Sequence, residues 1–197
     1  MVARQVGNKE MKRVVFVGVA ATGKDTTMLA VMATLKMKAK SIDYAPEIAH
    51  LALYNGFTLD QTTNLETQLY IFAEQIKWER IYNRSKCDYV FYNRCNIDTE
   101  VICRVNLPDK DREIMENLCS YYMATKPYDL IVTLSPLLIP VEDKVRDISN
   151  NYLGRQREMF AHVLGCYAAA GHNILYVGPQ SLDSRVNMII QAIEKLP

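Results

Sequence analysis

The stretch 13–26, R-V-V-F-V-G-V-A-A-T-G-K-D-T, leaves few folds open to this chain. Val14, Val15, Phe16 and Val17 form a short apolar run of strand-forming residues, and Gly18 ends it. Residues 26–38 carry Met28, Leu29, Val31, Met32, Leu35 and Met37, enough for a helix. Between the two lies a loop of the form G-x-x-x-x-G-K, with Gly18, Gly23 and Lys24 in the required places. Such a loop turns backbone N–H groups inward, and the following helix presents its positive dipole end to the same spot. Gly23 lets the backbone approach an anion with no Cβ in the way. Ala21 and Thr22 contribute loop amides, and Lys24 would place a point charge on the outer phosphates of a nucleotide. The alternative is a glycine turn with no ligand, and the coincidence of strand, loop, lysine and helix argues against it.

The residue after Lys24 departs from the usual pattern. A Ser or Thr normally stands there, with its hydroxyl on Mg²⁺. Here it is Asp25, followed by Thr26. Asp25 would reach Mg²⁺ through water, or Thr26 would share the task, so ATP and Mg²⁺ are the expected cofactors. The G-K-D-T form is similar to the phosphate loops of some phage deoxynucleotide monophosphate kinases, a likeness four residues long.

Length and composition narrow the remaining choices. A chain of 197 residues suits one domain with a full core, and 49% apolar with 23% charged residues is ordinary for a globular protein. The expected organisation is a basic extension over 1–12 and a single domain over 13–197. No apolar run approaches the roughly 18 residues of a membrane span. The first residues lack a signal-peptide core, so a cytoplasmic location is expected, in the host if the gene is phage-borne. Cys87, Cys95, Cys103, Cys119 and Cys166 form no C-x-x-C pair and read as reduced, mostly buried thiols. The net charge of +1 argues mildly against binding nucleic acid chiefly through its phosphates.

Strand and helix patterns alternate along the rest of the chain. Residues 40–44, 88–93, 129–134 and 173–177 read as further strands. Helical patterns cover 47–54, 59–85 (one helix or two), 98–105, 109–125, 152–170 and 183–195. In the long stretch, Leu65, Leu69, Phe72, Ile76 and Ile81 fall near one face. Alternation of this kind predicts an α/β fold of three layers, a parallel sheet of about five strands with helices on both faces. Ligands in such sheets sit at the carboxyl ends of the strands.

The residues at those ends carry the candidate chemistry. Asp43 and Glu47 follow the second strand, and either could take a proton from an acceptor hydroxyl. The competing role for Glu47 is an acid favoured by a helix dipole, and His50 reads better as a packed polar residue. After the third strand, Arg94 could hold a substrate or phosphoryl oxygen, and Asp98 could bind substrate hydroxyls or order metal waters. An Arg94–Asp98 ion pair at a helix start is the plain alternative. Residues 140–157 have the charges of a lid. Arg146 is the best candidate for closing over ATP, and Arg155 and Arg157 are less distinctive. No N-K-x-D or D-x-x-G motif of a GTPase is present, and the third strand ends in Tyr92-Asn93-Arg94 rather than the acidic pair of a hydrolytic ATPase.

Together the loop 18–26, Pro46-Glu47-Ile48-Ala49-His50, Asn93-Arg94-Cys95-Asn96-Ile97-Asp98, Tyr128-Asp129-Leu130-Ile131-Val132 and Asp143-Lys144-Val145-Arg146-Asp147 resemble the P-loop kinases of the ribosylnicotinamide kinase type, the kinase domain of NadR-like proteins. The likeness runs from about residue 12 to the end of the chain. It implies a P-loop NTPase-type sheet and substrate or catalytic roles for Glu47, Arg94, Asp98 and Arg146. That family usually reads P-E-x-A-R, D-R-G-x-x-D and D-G-x-R in these blocks. Here Asn93 stands in place of an acid, His50 in place of an arginine and Cys95 in place of a glycine. Asn93 cannot act as a base, which leaves Glu47 or Asp98. The layout is also similar to phage kinases that phosphorylate 5-hydroxymethyluracil in DNA, for which Tyr44, Tyr54, Phe57 and Tyr92 would be stacking candidates.

The resulting expectation is an ATP-dependent kinase acting on a hydroxyl of a nucleoside-like acceptor. A modified base in DNA is the alternative acceptor. A nucleotide-binding regulatory module without catalysis is the alternative of a different class.

Overall fold

Successive side chains of a strand face opposite ways, and in the first strand of this chain both faces are apolar. Val14 and Phe16 point to one side and Val15 and Val17 to the other, all of them fully buried. Such a strand must lie inside a sheet covered by helices on both faces. The computed structural model, which describes residues 10–136 and 149–197, has that architecture. The strands β1 (Lys12–Val17), β2 (Ile42–Ala45), β3 (Tyr89–Asn93), β4 (Leu130–Leu134) and β5 (Ile174–Val177) form one parallel sheet in the order β2-β3-β1-β4-β5. The P-loop NTPase-type sheet expected from the sequence is therefore present.

The helices are α1 (Lys24–Met37), α2 (Ile48–Tyr54), α3 (Leu65–Tyr82), α4 (Asn96–Asn106), α5 (Asp109–Met123), α6 (Asn150–Ala169) and α7 (Leu182–Glu194). On one face of the sheet, Met28, Val31 and Leu35 of α1 and Ile189 and Ile193 of α7 pack on Val14, Phe16, Phe91 and Val132. On the other, Ile97 and Val101 of α4 and Phe160, Val163 and Leu164 of α6 pack on Val15, Val17, Val90 and Ile131. Among the described residues no helix is long and apolar enough to cross a membrane. Cys95, Cys103 and Cys119 are buried free thiols, while Cys87 is half-buried and Cys166 exposed.

Three boundaries differ from the sequence expectation, each for a local reason. Helix α1 begins at Lys24 instead of residue 26, because Gly23 takes the N-cap in a left-handed conformation. Helix α4 begins at Asn96 instead of 98, since Cys95 and Asp98 close a capping box around the intervening turn. The stretch 59–85 is not continuous helix: Asp60–Thr62 is a single 3-10 turn, and Asn64 caps α3 by accepting from the Thr67 N–H at 2.9 Å.

The buried face of α3 also differs. Thr67, Gln68, Ile71, Gln75 and Glu79 are the buried residues, whereas Leu69 and Ile81 are exposed. Leu65 and Phe72 are half-buried against a small cluster under α4 and α5. Apolar periodicity finds the face turned to oil, and part of the inward face of this helix, Gln68, Ile71 and Gln75, lines a cleft instead.

Candidate functional site

The loop after β1 turns sharply because three of its residues have positive φ. Gly18 (135°), Ala21 (59°) and Gly23 (73°) break the regular backbone. Glycine adopts such angles freely, whereas Ala21 adopts one against its Cβ. Strain of this kind persists only where the surroundings impose it, and it gathers at binding loops. At the end of the loop no side chain caps α1, so its first N–H groups remain available to an anion. Thr22 and Thr27 turn their hydroxyls away onto loop carbonyls, those of Val19 and Gly23.

Lys24 is 94% buried, and burial lowers its pKa, as does the nearby Arg94. Asp25, Glu47 and Asp98 oppose that shift. Its ammonium reaches the Asp25 carboxylate at 3.1 Å. Asp25 and Thr26 are themselves exposed at the mouth of the loop.

Arg94 closes the site on the β3 side. It too has a positive φ, 73°, and its N–H donates to the Phe16 carbonyl at 2.9 Å, tying the end of β3 to the start of the loop. Its guanidinium donates to Glu47 Oε1 (2.8 Å), Asp98 Oδ1 (2.9 Å) and the Gly18 carbonyl (2.8 Å). Burial works to lower the Arg94 pKa, but the two carboxylates more than offset it and hold the group above its ordinary value. Asp98 in turn accepts the N–H of Gly18 (3.1 Å) and of Cys95 (3.1 Å). Burial raises its pKa against the pull of Arg94, Lys24 and those two N–H groups. The Arg94–Asp98 pair expected as a plain ion pair thus exists, with Glu47 as a third member and the phosphate loop as a fourth.

Behind Arg94 and Asp98 a cleft opens between α2, α3, α4 and α6. It is narrow, with a cavity volume of about 40 Å³. Ile48, Leu59, Ile71 and Phe160 form its apolar walls. Gln68, Gln75, Thr99 and Gln156 bring buried polar groups into it. A second cleft on the far side of Phe160 is bounded by Gly18, Thr133, Ser135, Arg157 and Tyr176.

Sequence reasoning did not find the glutamines, nor did it find Arg185. Arg185 is 99% buried and has no acid partner among the described residues. It donates to three backbone carbonyls: Thr22 of the phosphate loop (2.8 Å), Ser135 after β4 (2.9 Å) and Gly178 after β5 (3.1 Å). Burial lowers its pKa. The available signal was a single arginine in the first turn of an amphipathic helix, which does not reveal a contact to a residue 163 positions away.

The other nominated residues fall as follows. Asp43 accepts a hydrogen bond from Ser85 and does not line the acceptor-side cleft. Glu47 caps the start of α2, and His50, 3.9 Å from it, is exposed. Arg155 lies over the Tyr152 ring in a groove with Arg104 and Glu158, and no phosphate-loop residue lines that groove. Its neighbour Arg157 is the α6 arginine that shares a cleft with Gly18. Arg146 and half of the lid stretch, 140–148, lie outside the described residues. Of the stacking candidates, Tyr92 packs on Tyr82 and Tyr128, Phe57 stacks on Tyr70, and Tyr44 and Tyr54 are exposed away from the cleft.

Solved structures share this fold. A NadR protein in complex with NR superposes with a TM-score of 0.77 at 20% identity, over 94% of this chain and 51% of that one. A NadR protein with NAD and AMP-PNP gives 0.73 at 18% identity, over 94% and 49%. Deoxyadenosine kinase from M. mycoides, with dCMP and dCDP bound, gives 0.65 at 12% identity, over 92% and 98%. The chain spans about half the length of the NadR proteins it resembles. Among curated proteins no sequence matches it. The AAA domain model matches residues 13–185, from the first strand to the buried arginine of α7, and the chain belongs to that family.

Proposed function

We propose that this chain is an ATP-dependent kinase that transfers the γ-phosphoryl group to a hydroxyl of a nucleoside-like molecule. The observation that carries this reading is the Glu47–Arg94–Asp98 cluster, two carboxylates sharing one guanidinium, set between the phosphate loop and the cleft. A phosphate acceptor would need unpaired cations there. Arg94 is the cleft's basic residue among those described, and it already serves two carboxylates. A hydroxyl acceptor needs instead an oxygen able to take its proton. Asp98 lines the cleft and accepts three hydrogen bonds, against roughly four lone-pair sites on a carboxylate. One site is left for the acceptor O–H. Glu47 does not line the cleft and acts through Arg94, which it orients.

In the proposed step the acceptor oxygen attacks the γ-phosphorus, the bond to the β,γ-bridging oxygen breaks and ADP leaves. The proton passes to Asp98. The loop amides and Lys24 hold the phosphates, so that catalysis is mainly positioning and charge neutralisation. The donor set suits Mg²⁺, which takes few protein oxygens and keeps its phosphates and waters. Asp25 offers an accessible carboxylate, Thr26 a hydroxyl, and the buried Asn93 Oδ1 has no hydrogen-bond partner. When bound, the ion would neutralise charge on the transferring group. Arg146 is the lid arginine proposed to close over ATP. NR bound in one solved neighbour, and dCMP named as a product in another, support a nucleoside-like acceptor.

The test is transfer of label from γ-labelled ATP, with Mg²⁺, to free nucleosides, to nucleoside monophosphates and to duplex DNA with and without hydroxymethyluracil. Label is expected on the nucleosides and should be lost in Lys24→Ala with the fold intact. ATP binding without transfer to any pool would favour the regulatory module, and label on DNA alone would replace the acceptor.

A further inference from the structure

Resting on the kinase reading, we infer that the acceptor is a neutral nucleoside whose base is read by Gln68, Gln75 and Gln156. All three amides line the cleft behind Asp98, and each is more than nine-tenths buried. Buried amides normally use both ends within the protein, whereas Gln68 and Gln75 each use one end. Gln68 donates its NH₂ to the Thr63 hydroxyl at 2.8 Å, which turns its carbonyl oxygen toward open space. Gln75 accepts from the Thr99 hydroxyl at 3.3 Å, which leaves its NH₂ to donate elsewhere. Gln156, across the cleft on α6, makes no side-chain hydrogen bond among the described residues.

The spacing suits a flat heterocycle. Gln68 and Gln75 are two turns apart on α3, about 10 Å along the axis, with Ile71 between them in the cleft wall. A base lying across Ile71 can meet an acceptor at one edge and a donor at the other, while Leu59 and Phe160 cover its faces. Gln68 then takes a base N–H, Gln75 gives to a base carbonyl or ring nitrogen, and Gln156 can do either. The sugar would lie toward Arg94 and Asp98. A site built to hydrogen-bond a ligand rejects an analogue lacking those groups, because its buried amides are then left unpaired. The amides carry no charge, and the Asp98 carboxylate shares the Arg94 guanidinium with Glu47. Asp60, on the 3-10 turn, is the further acid of the lining among the described residues, so a cationic pyridinium nucleoside is the competitor that the test must separate.

The experiment is calorimetric binding to the full chain without ATP. The probes are thymidine, deoxycytidine, deoxyadenosine, guanosine and ribosylnicotinamide. One or more neutral nucleosides should bind wild type at least tenfold tighter than ribosylnicotinamide. Gln75→Leu and Gln156→Leu should each weaken that nucleoside at least tenfold with ATP affinity unchanged. Gln75→Glu, of the same size, exchanges donors for acceptors and should move the preference toward bases with a donor at that edge. Tighter binding of ribosylnicotinamide than of every neutral probe would overturn the inference. So would leucine variants that fold, as judged by wild-type melting, and bind as wild type does. Selective nucleoside binding with no phosphoryl transfer in the labelling assay would uphold the base-reading site and remove the kinase reading, so the two can fail separately.

Discussion

Two buried arginines flank the phosphate loop and are held in opposite ways. Arg94, on the β3 side, faces two carboxylates and one carbonyl. Arg185, on the α7 side, faces three carbonyls. Burial penalises both guanidinium ions, but at Arg94 the carboxylates reverse the penalty and at Arg185 nothing does. A charge held by side-chain carboxylates can exchange a partner without moving the backbone. A charge fixed on backbone oxygens cannot move without moving the chain. Arg94 is accordingly suited to chemistry. Arg185 is suited to setting the relative positions of the loop after β1 and the segments after β4 and β5.

The sharpest way to break this contrast is to remove each guanidinium. Arg94→Met takes the guanidinium away from Glu47 and from the buried Asp98, a kind of loss worth about 3–5 kcal/mol in known cases. It should also reduce turnover at least a hundredfold. Glu47→Gln and Asp98→Asn separate the two acids. The Asp98 variant should lower kcat most, and a larger loss in the Glu47 variant would reassign the proton acceptor. Turnover under saturating ATP, with melting as control, reads all three.

Arg185→Met should act differently. It removes the donor to the carbonyls of Thr22 and Ser135, while that of Gly178 keeps the Gln180 N–H, and each buried unpaired group costs about 1–3 kcal/mol where water cannot reach it. Stability should fall, and KM for ATP should rise severalfold while kcat changes less, because the residue touches the cradle and not the reacting atoms. Arg185→Lys keeps the charge and loses the fork, so it should recover part of the stability. An unchanged KM for ATP in a folded Arg185→Met protein would reduce this residue to a core staple.

The same contrast explains what the sequence could reveal. Gly18, Gly23 and Lys24 are legible because the backbone geometry of a phosphate loop demands those residue types within seven positions. Both faces of β1 are apolar, so the sheet and its covering helices were legible too. Arg94 and Asp98 were legible as a pair one helical turn apart, and the structure adds Glu47 and Gly18 to them. Arg185 was not, since its partners are backbone atoms from three distant segments. Nor were Gln68 and Gln75, which occupy the inward face of α3 where periodicity expects Leu and Ile. Leu69 and Ile81, assigned inward by that rule, are exposed. Hydrophobic patterning reports burial against apolar neighbours and is blind to burial against a ligand cavity.

Glu79 extends the comparison to a buried acid held by neither counter-charge nor backbone, and it carries the smallest expected effect. It is 95% buried and accepts hydrogen bonds from the hydroxyls of Tyr122 and Tyr128. Burial raises its pKa above the ordinary 4.5, and the two tyrosines and the more distant Arg13 only partly oppose this. A raised native pKa means that the folded state binds the proton more tightly than the unfolded chain. Its contribution to stability is therefore complete below the ordinary carboxyl range and is lost as pH rises through the native pKa. Unfolding free energy should fall over that window, by at most about 1.4 kcal/mol per pH unit. Glu79→Gln keeps an oxygen for the tyrosines and should flatten that part of the curve. Denaturant midpoints from pH 4 to pH 8, in steps of about half a unit, read the difference. Parallel curves would mean that the tyrosine hydrogen bonds alone keep Glu79 ionised, and that buried charge here needs neither a counter-ion nor a backbone cradle.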